Sequence, residues 1–453
     1  MVKLKKVDPT NGPILSSILK YAFPVFLTSI IQTFMNATDT AVVGNMADST
    51  AVASVGATGT IVALLVQSML GISEGAKILL ARSIGAGDYE RCKRIVSTAI
   101  ISAFSLGILV AIAGSVLSKP ILLLMDCPDD CLDGAVTYLS IYFISTPLTL
   151  IYNFCAGIMA VSGDSAKPMK YMLISGISNV MLNVLFCLVL PNKVTAVAIA
   201  TVVGTAISTT LAMRDVIRHD RFAFDVKHIT FNLHEFLLMF KYGIPLSLNS
   251  ALYPIANLQI QSTINGFGSA AIAGNTSAIY IESIVCGVHA GAGSASSTFV
   301  GQNLGARKPE RVKTSLLTCT LISCGITLPL SLSLLTLGSP LLSIFLPGDT
   351  LAIAHGMTRL KYHLSFYFIP GITCCINAAL NAFGYTFIPS ASSIFSVLVF
   401  RVIWMNLIYP LWPVPDMLYI CFVVSWAINL LICSSAFFII YFTKFKKDKL
   451  KAL

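Results

Sequence analysis

Residues Lys20–Gly44 read KYAFPVFLTSIIQTFMNATDTAVVG. This apolar run is long enough to cross a bilayer as a helix. A single acid, Asp39, stands near its far end among Asn36, Thr38 and Thr40. At about 1.5 Å of rise per residue, Asp39 lies roughly 22 Å along the helix from Pro24. That depth puts it within the membrane or in a cavity opening through it. An ionised carboxylate is costly there, so the expected task of Asp39 is to hold a cation or a proton.

The whole chain shares this character. Of its 453 residues 56% are apolar and only 11% charged, far too hydrophobic a balance for an ordinary soluble domain. Apolar runs of membrane-spanning length recur from end to end, which predicts an all-α polytopic membrane protein. Barrel strands would be short and alternating, and these runs are neither. The formal charge of +10 does not point to nucleic acid, because the basic residues cluster in short loops between apolar runs.

Twelve spans are expected. Six lie near 16–44, 51–80, 95–118, 135–160, 169–190 and 194–213. Six more lie near 237–265, 270–300, 314–345, 356–383, 388–411 and 416–442. With the N-terminus in the cytoplasm, alternate loops on that side and the two tails hold 24 of the 30 basic residues. The opposite loops hold Lys119, Lys193, Arg359 and Lys361, while Lys77 and Arg401 fall inside spans. So lopsided a division predicts both termini in the cytoplasm of a plasma-membrane protein. No cleavable signal is read at the N-terminus: Lys3, Lys5 and Lys6 precede a long helix with no small-residue cleavage site, so the first helix is expected to serve as its own insertion signal.

Twelve cysteines are scattered, mostly inside apolar runs, where Cys behaves as a small hydrophobe. Their spacing suggests no metal or redox motif. Cys127 and Cys131 flank an acidic loop, and the sequence leaves open whether they pair.

The chain also repeats itself. Lys20-Tyr21-Ala-Phe-Pro24 returns as Lys241-Tyr242-Gly-Ile-Pro245, 221 positions on. GAGDYERCK (85–93) returns as GARKPERVK (305–313), 220 positions on. Two halves of six spans keep the same orientation, so the predicted architecture is two six-helix bundles related by a pseudo-twofold along the membrane normal. The bundles are expected over 1–213 and 237–453, with 214–236 as a cytoplasmic linker along the membrane surface. A body of this kind can expose one fixed site to either side in turn.

These residues carry a resemblance. Pro24 with Asn36-Ala-Thr-Asp39-Thr-Ala-Val-Val-Gly44 resembles the first-helix pattern of the multidrug and toxic compound extrusion (MATE) family. Gly85-Ala-Gly-Asp and Gly305-Ala-Arg-Lys are similar to its paired loops after helices two and eight. Gly163-Asp-Ser-Ala-Lys-Pro168 and Gly384-Tyr-Thr-Phe-Ile-Pro389 are similar to its paired turns after helices four and ten. The likeness covers nearly the whole chain. It implies an antiporter, acting as a monomer, that exports small organic, often cationic, compounds in exchange for H⁺ or Na⁺. It implies no cofactor beyond that coupling ion. The placement of the basic residues predicts no nucleic-acid partner, and the chain shows no nucleophile–base pair, metal cluster or phosphate loop, so no enzymatic activity is expected. Position by position, the resemblance assigns a cation site to Asp39, Asn179, Asn183 and Thr201, with Asn36 beside the acid. Asn183 stands where several relatives carry Asp, so one formal charge remains and tight Na⁺ binding is less secure. Tyr253 stands where other relatives carry a seventh-helix acid, so that site is absent.

In the second half, Glu282 lies about twelve residues into its span, roughly 18 Å deep. His289 follows two turns on along the same face, and a Glu–His pair can relay a proton or hold a cation. Arg401, inside the eleventh span, needs a counter-charge, and Glu282 is the expected one. Asn257 is the second-half counterpart of Asn36 and completes this polar set. The readings weighed against an exporter are a flippase for lipids or lipid-linked oligosaccharides on the same scaffold, a passive pore and, last, a membrane enzyme. A flippase would want several buried basic residues for phosphates, and a pore has no use for a two-half repeat with lone buried acids.

Overall fold

The computed structural model describes residues 6–46, 49–125, 127–219 and 229–445; the side chains of Phe34, residues 36–53, Pro254, Leu258 and residues 444–445 fall outside that description. Every described segment of regular structure is helical. The first half runs as α1 (Ile14–Met46), α2 (Ser49–Ala86), α3 (Tyr89–Leu124), α4 (Asp129–Ile144 then Thr146–Val161), α5 (Ala166–Val189) and α6 (Lys193–Ile217). The second runs as α7 (Leu233–Gly266), α8 (Ser269–Gly305), α9 (Pro309–Thr336, then a short turn Gly338–Phe345) and α10 (Thr350–Phe366 then Phe368–Ala382). It ends with α11 (Phe387–Leu411) and α12 (Pro415–Thr443).

Nine of these helices are long and apolar enough to cross a membrane among the described residues, and the two bent helices α4 and α10 bring the number to eleven. The twelfth, α7, has 34 residues. Rows of large apolar side chains remain exposed along them, as on α5, where Ile177, Met181, Leu185 and Leu188 stand out from the body. A helix that shows such a face finds its solvent in lipid. The chain is a multi-pass membrane protein.

The duplication read from sequence is present in the backbone. Helix α4 bends by 44° at Ser145, and α10 by 49° at Tyr367, in the matching stretch of the second half. Gly163 and Gly384 both turn with positive φ, at 85° and 79°. Gly87 has φ 73°, and its counterpart Arg307 takes φ 57° although it is not glycine. A left-handed residue ends each second helix of the pair, and sequence identity at that position is secondary to the turn.

The compact units differ from the expected halves 1–213 and 237–453. One is built on Ile30–Ser247 and the other on Val7–Ser29 with Leu248–Leu453. The boundaries therefore fall inside α1 and α7, not in the linker. The beginning of α7 packs into the first unit. A Cβ on Gly75 would collide with the Met239 carbonyl, one on Gly71 would collide with Ser247, and Ser247 Oγ donates to the Ser68 carbonyl at 2.8 Å. The beginning of α1 packs into the second unit in the same manner. A Cβ on Gly291 would lie 2.7 Å from the Ala22 carbonyl, and Tyr21 Oη bonds Thr298 Oγ1 at 2.8 Å. Small residues on α2 and α8 let a helix from the other half of the chain lie backbone to backbone. Of the linker, Thr230 and Asn232 are tied to Ser97 and Thr98 of α3; residues 220–228, on which the membrane-surface reading falls, lie outside the described residues.

Cys127 and Cys131 carry free thiols with their sulfurs 3.7 Å apart.

Candidate functional site

In the first unit, α5 and α6 bring three of the predicted residues together. Asn183 Nδ2 donates to Asn179 Oδ1 at 3.2 Å, and Asn179 Nδ2 donates to Thr201 Oγ1 at 3.4 Å. Thr201 Oγ1 passes the chain on to the Val197 carbonyl at 3.1 Å. The two asparagines share one face of α5 because they are four residues apart, and both are buried. The close approach of α6 comes from Gly204, where a Cβ would lie 3.2 Å from Asn179 Cβ. Helix α1 reaches α5 at Gly176, where a Cβ would lie 2.7 Å from Met35 Sδ. Asp39 follows Met35 by one helical turn. The side chains of Asp39 and Asn36 lie outside the described residues, so the structure assigns them no contact. Beside this contact α1 and α5 border an open apolar groove of about 420 Å³ on the outer face, lined by Ile30, Ile31, Met35, Leu173, Gly176 and Ile177 among others.

The second unit holds a denser polar cluster, and its partners differ from those expected. Glu282 is 3% exposed and is gripped by Arg359: Nε donates to Oε1 at 2.9 Å and Nη2 to Oε2 at 2.8 Å. Two parallel bonds of this kind are the strong form of the ion pair. Arg359 Nη1 also donates to Asn275 Oδ1 at 2.8 Å, and His363 Nδ1 lies 3.1 Å from the same carboxylate. His363 is 1% exposed, ringed by Phe422 at 4.7 Å and Trp426 at 5.1 Å. Its Nε2 has no hydrogen-bond partner among the described residues.

Local chemistry explains how these groups meet. A Cβ on Gly274 would collide with the Ala352 carbonyl, and a Cβ on Gly356 would lie 3.0 Å from the Gly274 carbonyl. The two glycines seat α8 directly on α10. Arg359 and His363, four residues apart, then point from one face of α10 at Glu282 on α8.

Three expectations need correction. Arg401 does not pair with Glu282; it bonds Ser425 Oγ at 3.1 Å and Asn257 Oδ1 at 3.0 Å and lies over Phe422. His289 does not work with Glu282 either. Its Nε2 bonds Thr327 Oγ1 on α9 at 3.2 Å, because that face of α8 turns toward α9 as the helix runs on. Arg359 and Lys361, counted with the outer loops, lie inside the span read near 356–383, and α10 starts earlier still, at Thr350, capped by Asp349 Oδ1, which accepts from Ala352 N at 2.9 Å. The Asp349-Thr350 pair was the available signal, since Asp before an apolar run starts helices. With the helix begun at 350, Arg359 and His363 lie more than two turns inside it, where an arginine demands a partner.

The family model MatE matches residues 24–185 and 245–405. The chain belongs to the MatE family. The two matched stretches open at Pro24 and Pro245, the pair that first exposed the duplication. MatE proteins are membrane transporters rather than enzymes. Among curated relatives, the probable multidrug resistance protein YpnP of Bacillus subtilis is 26% identical over 84% of this chain and 85% of its own length. The FAD transporter of Shewanella oneidensis is 24% identical over 71% and 72%. A crystal structure of a MATE protein in complex with MaL6 covers 99% of this chain and 100% of its own, with TM-score 0.89 at 19% identity. That last likeness carries the fold: twelve helices in two bundles of six.

Proposed function

We propose that the chain is an ion-coupled antiporter exporting small organic compounds by alternating access. It would act as a monomer in the plasma membrane, with both termini in the cytoplasm, as the loop charges favour. The coupling ion is H⁺ or Na⁺, and no other cofactor is needed. The supporting observation is the run Asn183–Asn179–Thr201, a chain of neutral oxygens and amides with both asparagines buried, one turn of α5 from the contact with α1 that precedes Asp39. Neutral oxygens beside one carboxylate can hold a proton or a weakly bound Na⁺.

Coupling then follows from differential affinity. The compound, often cationic, binds while Asp39 is ionised. Protonation, or occupation by Na⁺, cancels the charge and changes the hydrogen bonding offered by Asn36, Asn179, Asn183 and Thr201. The difference in affinity between the two states drives release on the outer side. A lipid or oligosaccharide flippase is not favoured, since the curated relatives named above are multidrug and FAD transporters.

The experiment is efflux of a fluorescent organic dye from proteoliposomes under a proton gradient alone and a sodium gradient alone. Efflux under one of them is expected. Dye retention under both rejects the antiporter reading.

A further inference from the structure

Arg401 holds a buried positive charge that no carboxylate among the described residues answers. It is 3% exposed. Its described partners are Ser425 Oγ, Asn257 Oδ1 and the face of Phe422, whose centroid is 4.2 Å from the guanidinium carbon. All three are neutral. Nε and Nη1 donate to them, and Nη2 donates to no described residue. The remaining fixed charges buried in this unit, Glu282 and Arg359, satisfy each other. The unit thus buries two guanidiniums against one carboxylate among its described residues. Arginine does not shed its proton in proteins, so the excess charge persists. Inside a membrane protein such a charge is kept beside a partner or for a task.

Two further observations bear on the task. The backbone widens into π-helix on both sides of Arg401, over Ile394–Val399 and Trp404–Ile408, with only four α-helical residues between. No proline lies in 394–408 to force this. Single π turns inside α-helices are rare and concentrate at functional sites. Moreover, Asn257, the acceptor for Nη1, is exposed, and Tyr253 one turn earlier on α7 is 39% exposed. A ligand that reaches the Asn257 amide reaches the guanidinium behind it.

We propose that Arg401, with Asn257 and Ser425, binds the anionic group of a ligand, a carboxylate or a phosphate. A charged oxygen replacing the Asn257 amide oxygen on Nη1 and bridging to the free Nη2 makes the two-pronged, charge-assisted contact for which guanidinium is shaped. It also supplies the missing negative charge. Arg359 cannot do the same, because Glu282 already occupies its fork. The inference rests on the exporter reading only for the direction in which the ligand moves; binding at Arg401 stands apart from it. Compounds carrying an acid group are then preferred over the same compounds without one.

The test uses the full chain in nanodiscs of phosphatidylcholine and two probes: a rhodamine with a free carboxylate, and the methyl ester of the same dye. Fluorescence anisotropy gives binding, and proteoliposome efflux gives transport. The wild type is expected to bind the acid about tenfold more tightly than the ester. Arg401→Gln brings that ratio close to one. Arg401→Lys keeps part of it. Asn257→Asp, which supplies a permanent carboxylate to the guanidinium, also removes the preference and guards against loss of Arg401 acting through folding. Equal binding of acid and ester by the wild type, binding of neither, or an acid preference that survives both Arg401→Gln and Asn257→Asp overturns the proposal. Replacing part of the lipid by phosphatidylglycerol separates the sources: competition with the acid dye assigns the site to a lipid headgroup, and its absence to a solute. Acid-selective binding without efflux of either dye keeps the anion site and rejects the exporter.

Discussion

Arg359 and Glu282 face each other through two parallel hydrogen bonds of 2.9 and 2.8 Å, at the point where α10 crosses α8. Neither group can be removed alone without leaving a buried charge unpaired. Glu282→Gln and Arg359→Met are each expected to destabilise the protein by about 3 kcal/mol, and the double variant by clearly less than the sum. Thermal melts of the detergent-solubilised protein followed by size exclusion measure this. Additive losses would mean that the pair is not coupled. Gly274→Ala is expected to reproduce part of the loss, because its methyl would push the Ala352 carbonyl away and part the two helices.

Asp39 is the residue on which coupling is proposed to turn. Asp39→Asn is expected to abolish dye efflux while the protein inserts and accumulates as the wild type does. Efflux from proteoliposomes reconstituted at matched protein levels reads this directly. Undiminished efflux by the variant removes Asp39 from the mechanism.

Arg91 and Arg311 occupy equivalent positions of the two halves and hold equivalent pieces of chain. Arg91 grips Glu235 with bonds of 2.8 and 3.2 Å at the start of α7. Arg311 Nη2 donates to the Gly12 carbonyl at 2.7 Å and the Pro9 carbonyl at 3.2 Å, just before α1. Each arginine fastens the helix that enters its unit from the other half of the chain. Arg91→Ala is expected to speed amide exchange around residues 230–236, and Arg311→Ala around residues 9–14, each without effect on the other segment. Hydrogen–deuterium exchange with mass spectrometry resolves the two. Unchanged exchange in both variants would show that helix packing alone fixes these ends.

Gly87 has φ 73°, and a methyl added there would meet nothing within 4 Å. Gly87→Ala therefore isolates the backbone cost of a left-handed residue, expected at about 1 kcal/mol. Arg307, at φ 57°, already bears that cost at the matching turn. Thermal unfolding of Gly87→Ala beside the wild type checks it, and an unchanged melting point would refute the argument.

The sequence by itself determined the class of protein, its twelve spans and its duplication. Each of these depends on local quantities: run length, apolar content, and turn residues that recur at a fixed offset. Lys20-Tyr21 and Lys241-Tyr242, or Gly163 and Gly384, can be matched without knowing what they touch. The embedded polar residues were legible one at a time for the same reason, since a Glu or Arg inside an apolar run stands out wherever it points. Their partners were not. Spacing alone offers Glu282 the partners His289 and Arg401, yet it meets Arg359 and His363, because two glycines on neighbouring helices decide which faces touch. The passage of α1 and α7 from one compact unit to the other was equally hidden, for it depends on backbone contacts at Gly71 and Gly291 between residues far apart in the chain. Local pattern sets the elements. Which charge is answered and which is left waiting is set by helix-to-helix packing, and only the tertiary structure holds that information.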